Sequence, residues 1–268
     1  MEKVTIIGSG NIGLSLARGL INKGNIPSNR ITLTRRNLQQ LEKEQALGFK
    51  ISNDNANSCK QASIVVLSVL PQQLDPVLHE IKAILEKTHP LVISVVSGVT
   101  CADIRQRLGV DTRVVRAMPN TAISIGQSMT CIASDEASDE DRKIVSEIFN
   151  SVGTVIEINE ELMTSATALC ACGIAFFLRA IRAASQGGVE VGFHAHDALK
   201  MAVQTAKGAA DLLLHKASHP EDEIDKVTSP KGCTIAGLNE MEYHGFSASL
   251  IKGIKLSAQK AGALYPKK

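Results

Sequence analysis

Short runs of β-branched and aliphatic residues recur through the first half of the chain, separated by stretches whose apolar positions return every three or four residues. Val4–Gly8, Arg30–Thr34, Ser63–Val69, Leu91–Val96 and Thr112–Arg116 read as strands, and Asn11–Lys23 and Pro71–Glu86 as helices between them. In the first helix Ile12, Leu16 and Leu20 share a stripe, and Gly24 is placed to end it. Ile64-Val65-Val66-Leu67 lacks polar alternation, which suits a parallel strand covered on both faces. Ser128–Ala133 and Val155–Ile158 read as closing strands, with a helix over Asp139–Asn150. The alternation predicts an α/β fold, a Rossmann-type doubly wound sheet, over residues 1–159.

After Asn159 the strand pattern stops. Helical spacing runs through Glu161–Gln186, Ala195–His215, Pro220–Lys226, Thr234–His244 and Ser247–Ala261, with Ala202, Ala206, Ala209 and Ala210 among the small residues that allow close helix approach. Residues 160–268 are therefore expected to form an all-helical second domain. Leu162 to Leu178 carries no charge and is marginal for a membrane span. With Glu161 and Arg179 at its ends, it reads as a helix buried against protein.

Composition narrows the classes. The 268 residues are 44% hydrophobic and 21% charged, with a net charge of +2, as in a soluble globular protein. There is no Lys/Arg block and no Trp, so nucleic acid is not an expected partner, and neither is a membrane. The N-terminus runs straight into a strand with no signal-peptide pattern, from which a cytoplasmic location is expected. Cys59, Cys101, Cys131, Cys170, Cys172 and Cys233 show no framework spacing and are expected to be reduced. Cys170 and Cys172 point apart on a helix and have no companion cluster, so no metal is expected; His194 and His196 read as a surface feature at a helix start.

Gly8-Ser9-Gly10-Asn11-Ile12-Gly13 lies between the first strand and the first helix. In that setting the glycines give a tight turn, let the backbone approach a pyrophosphate and let helix and strand pack closely. Free N–H groups and the positive end of the helix dipole then face the phosphates. Where NAD sites place a carboxylate, after the second strand, this chain has Arg35-Arg36. Guanidiniums accept a ribose 2′-phosphate that a carboxylate would repel, which predicts NADPH, with NADH at lower preference.

Further stretches carry a specific resemblance: Val69-Leu70-Pro71-Gln72, Ser94-Val95-Val96-Ser97-Gly98, Arg116-Ala117-Met118-Pro119-Asn120-Thr121, Ala168–Phe176 and Ser229-Pro230-Lys231-Gly232-Cys233-Thr234-Ile235. Over nearly the full length the chain resembles Δ1-pyrroline-5-carboxylate reductase, the last enzyme of proline synthesis. The resemblance implies a helical dimerisation domain, an active site at a homodimer interface, and higher oligomers such as decamers. It implies that Ser229, Gly232, Cys233, Thr234 and Asn120 bind substrate, with Thr234 hydrogen-bonding the ring nitrogen. It also implies cofactor contacts from Asn55, Val69, Leu70 and Ser97 beside the Gly8–Gly13 turn. Thr234 alternatively reads as the N-cap of a helix from Ile235.

The chain departs from the family pattern at several positions. The family's Ser-Gly-Ser-Gly-Pro-Ala is Cys170-Ala171-Cys172-Gly173-Ile174-Ala175 here, where Ile174 for Pro should relax a helix kink. Lys231 replaces a usual Gly, Cys233 a Thr or Ala, Leu70 a Lys and Ala122 a Pro. A positive φ at Lys231 would cost about 1 kcal/mol, while its ammonium could pair with a substrate carboxylate. Alternatives are therefore a reductase of a related cyclic imine acid and a catalytically weak regulatory dinucleotide-binding paralogue. A β-hydroxyacid dehydrogenase is disfavoured because Glu161–Gly192 holds no Lys.

Overall fold

The computed structural model describes residues 2–24, 26–109 and 111–263. Strand β1 (Val4–Ile7) leads into α1 (Asn11–Asn22), followed by β2 (Ile31–Thr34). Two short helices, α2 (Glu42–Ala46) and α3 (Asn55–Cys59), flank β3 (Lys50–Ser52). Then come β4 (Ile64–Leu67), α4 (Pro71–Thr88), β5 (Leu91–Ser94), α5 (Cys101–Leu108) and β6 (Val114–Met118). Strand β7 (Ser128–Ala133), α6 (Asp139–Asn150) and β8 (Gly153–Glu157) complete the sheet.

The eight strands lie in the order β3-β2-β1-β4-β5-β6-β7-β8. All neighbours pair in parallel except β6 and β7. Both faces are buried, because alternate side chains serve opposite faces. Val4, Ile6, Ile64 and Val66 pack with Leu16 and Leu20, whereas Ile7, Val65 and Leu67 pack with Leu74, Leu78 and Ile81. Each such fully buried aliphatic contributes roughly 1.5–3 kcal/mol. The order reverses between β1 and β4, so the carboxyl ends of these two strands open the crevice in which ligands of such sheets bind. The Rossmann-type expectation holds.

Several elements escape the hydrophobic pattern, α2 and α3 among them, and two more show why. β3 has three residues, none of them buried, and is defined by pairing with β2. α5 is set by a capping box: the Asp103 N–H donates to Thr100 Oγ1, and the Thr100 N–H donates to Asp103 Oδ2, both at 3.0 Å.

After β8 the described residues are helical. α7 (Met163–Ala166) passes through a π-helical segment, Thr167–Cys172, into α8 (Gly173–Glu190). α9 (Ala195–Lys216), α10 (Pro220–Lys226), α11 (Cys233–Tyr243) and α12 (Phe246–Ala261) follow. The helical run is thus π-helical just before Ile174, with no proline there. One compact unit ends at Cys172 and takes in the chain again from Lys255; the second is Gly173–Ile254.

Within the second unit α8 and α9 approach closely, since a Cβ on Gly188 would lie 3.0 Å from that of Ala198. The unit buries little else, and Phe177, Leu178, Val191, Phe193, Leu214 and Tyr243 are exposed. Glu160–Glu190 is long and apolar enough to cross a membrane, yet only 28% of its most apolar window is buried. Among the described residues, the cover expected from the sequence is therefore not supplied.

Candidate functional site

The turn after β1 is built for close approach. Gly8 adopts φ 88°, and a Cβ there would sit 2.4 Å from the Ser68 carbonyl oxygen. At Gly13 a Cβ would meet the Gly8 oxygen at 2.9 Å and Ile6 Cγ2 at 3.0 Å, so α1 can rest on β1 only without a side chain. Gly10 is different, because among the described residues no atom beyond its own chain neighbours lies within 4 Å of the position its Cβ would take. That open space lies where a phosphate must come against the backbone.

The first intrahelical bond of α1 runs from the Leu14 N–H to the Gly10 oxygen at 2.9 Å. The N–H groups of Asn11, Ile12 and Gly13 thus precede the helical ladder, and the first turn has no acidic residue to compete for them. Ser9 is fully buried, and its N–H bonds the Thr34 oxygen at 3.0 Å, which ties the turn to β2.

These groups face a cleft of about 650 Å³, a size that accommodates a small molecule. Its lining includes Gly8, Ser9, Gly10, Asn11, Ile12, Arg35, Arg36, Asn55, Val69, Leu70 and Ser97. Every residue expected to touch the coenzyme therefore borders one cleft except Gly13, which packs behind it. Asn37, Gln40, Asn53 and Gln73 also line it and were not singled out by the motif. Their signal was only proximity to strand ends.

The two arginines have different settings. Arg35 Nη1 donates to the Ser9 oxygen at 2.9 Å, whereas Arg36 is exposed at the cleft. Asn55 is held on both sides: its Oδ1 accepts from Thr34 Oγ1 at 2.6 Å, and its Nδ2 donates to Glu80 Oε2 at 2.8 Å. Leu70, the N-cap of α4, is 63% exposed at the cleft wall, an uncharged surface where the resemblance expects a lysine.

The loop Ser229–Thr234 lies in the second unit. The Gly232 N–H bonds the Ser229 oxygen at 2.9 Å, and a Cβ on Gly232 would come within 2.4 Å of Ser229 Oγ. Lys231 sits in this turn at φ 58°, the left-handed region where glycine is usual. The N-cap expectation for Thr234 is overturned: α11 starts at Cys233 with Gly232 as N-cap, so Thr234 is already inside the first turn. Thr234 is half-buried, and its hydroxyl is not needed to begin the helix.

Asn120 belongs to the first unit and does not line the cleft. Its Oδ1 accepts from the Ala122 N–H at 3.0 Å, and its Nδ2 donates to the Cys170 oxygen at 3.3 Å. The amide is thus engaged in holding the segment after β6, a structural task beside the substrate contact expected of it.

Among the described residues, Cys101, Asp135 and Glu160 bring ligand atoms together as a metal site would. Both carboxylates are already matched by cations, Asp135 to Arg105 at 2.8 Å and Glu160 to Arg116 at 3.1 Å. Burial pushes the Cys101 thiol up to about 12, away from the thiolate a metal needs. The cluster is an ion-pair network. His194 is the N-cap of α9, and His194 and His196 are exposed, consistent with a surface helix start.

Comparison with known proteins draws both halves together. Residues 160–264 match the family profile described as pyrroline-5-carboxylate reductase dimerisation, and residues 3–98 match that described as NADP oxidoreductase coenzyme F420-dependent. Pyrroline-5-carboxylate reductase 1 of Dictyostelium discoideum is 50% identical over 99% of this chain, which spans half the length of that relative. Pyrroline-5-carboxylate reductase 2 of the same organism is 48% identical over 97% of this chain and 92% of its own. The solved structure of the reductase from Coxiella burnetii superposes with a TM-score of 0.91 at 32% identity, covering 99% of both chains. That of the Plasmodium falciparum enzyme, with NADP bound, gives 0.90 at 26% identity, covering 99% of this chain and 98% of its own.

Proposed function

This chain belongs to the pyrroline-5-carboxylate reductase family, and on that premise we propose that it reduces Δ1-pyrroline-5-carboxylate to L-proline with NADPH. The observation that carries the proposal is the near full-length match to reductases, on a chain whose glycine turn leaves open backbone where a pyrophosphate would lie. NADPH, when bound, supplies a hydride to the carbon of the ring C=N bond.

The chain's own residues bind and orient. The N–H groups of Asn11, Ile12 and Gly13 receive the pyrophosphate, while Arg36, beside Arg35, receives the 2′-phosphate. Val69, Leu70 and Ser97 bound the cleft, and Asn55 lies near the end of β2. Ser229, Gly232 and Cys233 hold the substrate carboxylate through backbone and hydroxyl groups. The Thr234 hydroxyl orients the ring nitrogen. Asn120 acts as a positioning residue, through the carbonyl it holds on Cys170. A protonated imine already carries the charge that a general acid would otherwise provide, so orientation and hydrogen bonds suffice. The absence of a His or Lys acid in the Ser229–Thr234 loop other than Lys231 is compatible with that route.

Residues 1–159 serve the coenzyme in this reading, and 160–268 serve dimerisation and substrate. The exposed apolar residues of the second unit, Phe177 and Leu178 among them, fit burial against a second copy rather than in lipid. The proposed assembly is a homodimer that can associate further, as in a decamer, in the cytoplasm.

The test is steady-state NADPH oxidation with pyrroline-5-carboxylate, with its six-membered homologue and with no substrate. Turnover confined to the five-membered ring supports the proposal. Preference for the homologue would move the assignment to a related imine acid, and no turnover with either would leave a non-catalytic coenzyme-binding protein. Thr234→Ala should lower kcat at least tenfold, and unchanged turnover would refute its role.

A further inference from the structure

Two thiols outside the coenzyme cleft face one another. Cys131 on β7 and Cys170 in the π-helical segment place their sulfurs 3.8 Å apart. Both belong to the first unit and to one small apolar cluster with Met118, Ala133, Met163 and Ala166. The pair is asymmetric. Cys131 is 5% exposed, whereas Cys170 is partly open to solvent. Of the four remaining cysteines, Cys59 and Cys101 are buried in the other core, Cys172 is half-buried at the end of the π-helical segment, and Cys233 is exposed on the second unit.

We propose that Cys131 and Cys170 are a redox pair that closes into a reversible intrachain disulfide under peroxide, with Cys170 as the attacking thiol and Cys131 as the resolving one.

Geometry makes closure a local event. A disulfide needs sulfurs about 2.05 Å apart, so the sulfurs have only a short approach to make from 3.8 Å. The contact between the two sulfurs lowers the Cys170 pKa, while that contact and burial raise Cys131. The more open member is therefore the one whose thiolate is favoured, as an attacking thiol requires.

The steps balance as follows. The Cys170 thiolate attacks one oxygen of hydrogen peroxide, an S–O bond forms as the O–O bond breaks, and the departing hydroxide takes a proton to become water. The Cys131 sulfur then attacks the Cys170 sulfenic acid, the S–S bond forms as the S–O bond breaks, and the second water leaves with the Cys131 proton. Two thiols are oxidised by two electrons in total and one peroxide is reduced to two waters. A thiol reductant reverses the change.

The full chain, freshly reduced, is treated with a slight excess of hydrogen peroxide, alkylated and digested without reduction. A peptide joining Cys131 to Cys170, an intact chain lighter by two hydrogens, and loss of both signals on dithiothreitol support the pair. In Cys131→Ser, dimedone should label Cys170, and in Cys170→Ser it should leave Cys131 unlabelled. The wild-type peptide map stands by itself should either variant fail to fold. A link between chains, a link through Cys172, or irreversible oxidation of Cys170 with no link would overturn the proposal. None of these outcomes depends on reductase turnover, so the inference stands or falls apart from the proposed activity.

Discussion

Arg35 and Ser9 are joined by a 2.9 Å hydrogen bond from guanidinium Nη1 to the backbone oxygen, so one of the twin arginines braces the glycine turn itself. Its neighbour Arg36 is exposed and free to meet a charged ligand. The two positions are therefore expected to behave differently when mutated.

Arg36→Ala should raise the KM for NADPH about tenfold and leave that for NADH nearly unchanged, because one charged hydrogen bond of about 1.5 kcal/mol is lost. Arg35→Asp should also favour NADH relatively, yet weaken both coenzymes through the loosened turn. Steady-state kinetics with each coenzyme decide the matter. A selective effect at neither position would remove the arginines from 2′-phosphate recognition.

Two glycines of the turn offer a sharper contrast. Gly13→Ala pushes a methyl against the Gly8 oxygen and should cost roughly 1–3 kcal/mol of stability while weakening both coenzymes alike. Gly10→Ala meets no protein atom, so denaturant unfolding should be little changed while calorimetry shows coenzyme binding lost.

Lys231 carries a conformational cost that alanine shares and glycine does not. Lys231→Gly should therefore be about 1 kcal/mol more stable than Lys231→Ala. Both should raise the substrate KM to a similar extent if the ammonium meets the carboxylate. Unchanged KM in both would remove that contact and leave the strain alone.

Alkaline stability should follow two buried thiols. Burial pushes Cys59 and Cys101 up to about 12 from an ordinary 9.0. A thiol whose folded pKa is raised stabilises the fold fully below its unfolded value, and that contribution is lost as pH climbs towards the folded one. Unfolding free energy should thus fall between about pH 9 and 12, with a shallower slope in Cys59→Ser or Cys101→Ser. Urea titrations at stepped pH measure it.

What the sequence disclosed follows from how local each signal is. Gly8–Gly13 is readable because its glycines act within a single strand–turn–helix unit, and β4 is readable because Ile64–Leu67 is apolar throughout. β3 is not, since its three residues owe their form to β2. Helix α5 hid behind Arg105, a charged residue in the apolar stripe that is buried because Asp135 answers it; the Thr100–Asp103 box was the available clue. The N-cap expected at Thr234 lies two residues earlier because Gly232, with no side chain to signal a cap, performs that task. The inversion of β7 and the π-helical turn before Ile174 depend on packing that no short window contains.

The chain of bonds from Thr34 through Asn55 to Glu80 pins the end of β2 to the middle of α4. A wall stiffened in this way incurs its ordering entropy during folding and not when a nucleotide arrives. Coenzymes that differ only at the ribose should consequently be captured at similar rates and be told apart by their residence times.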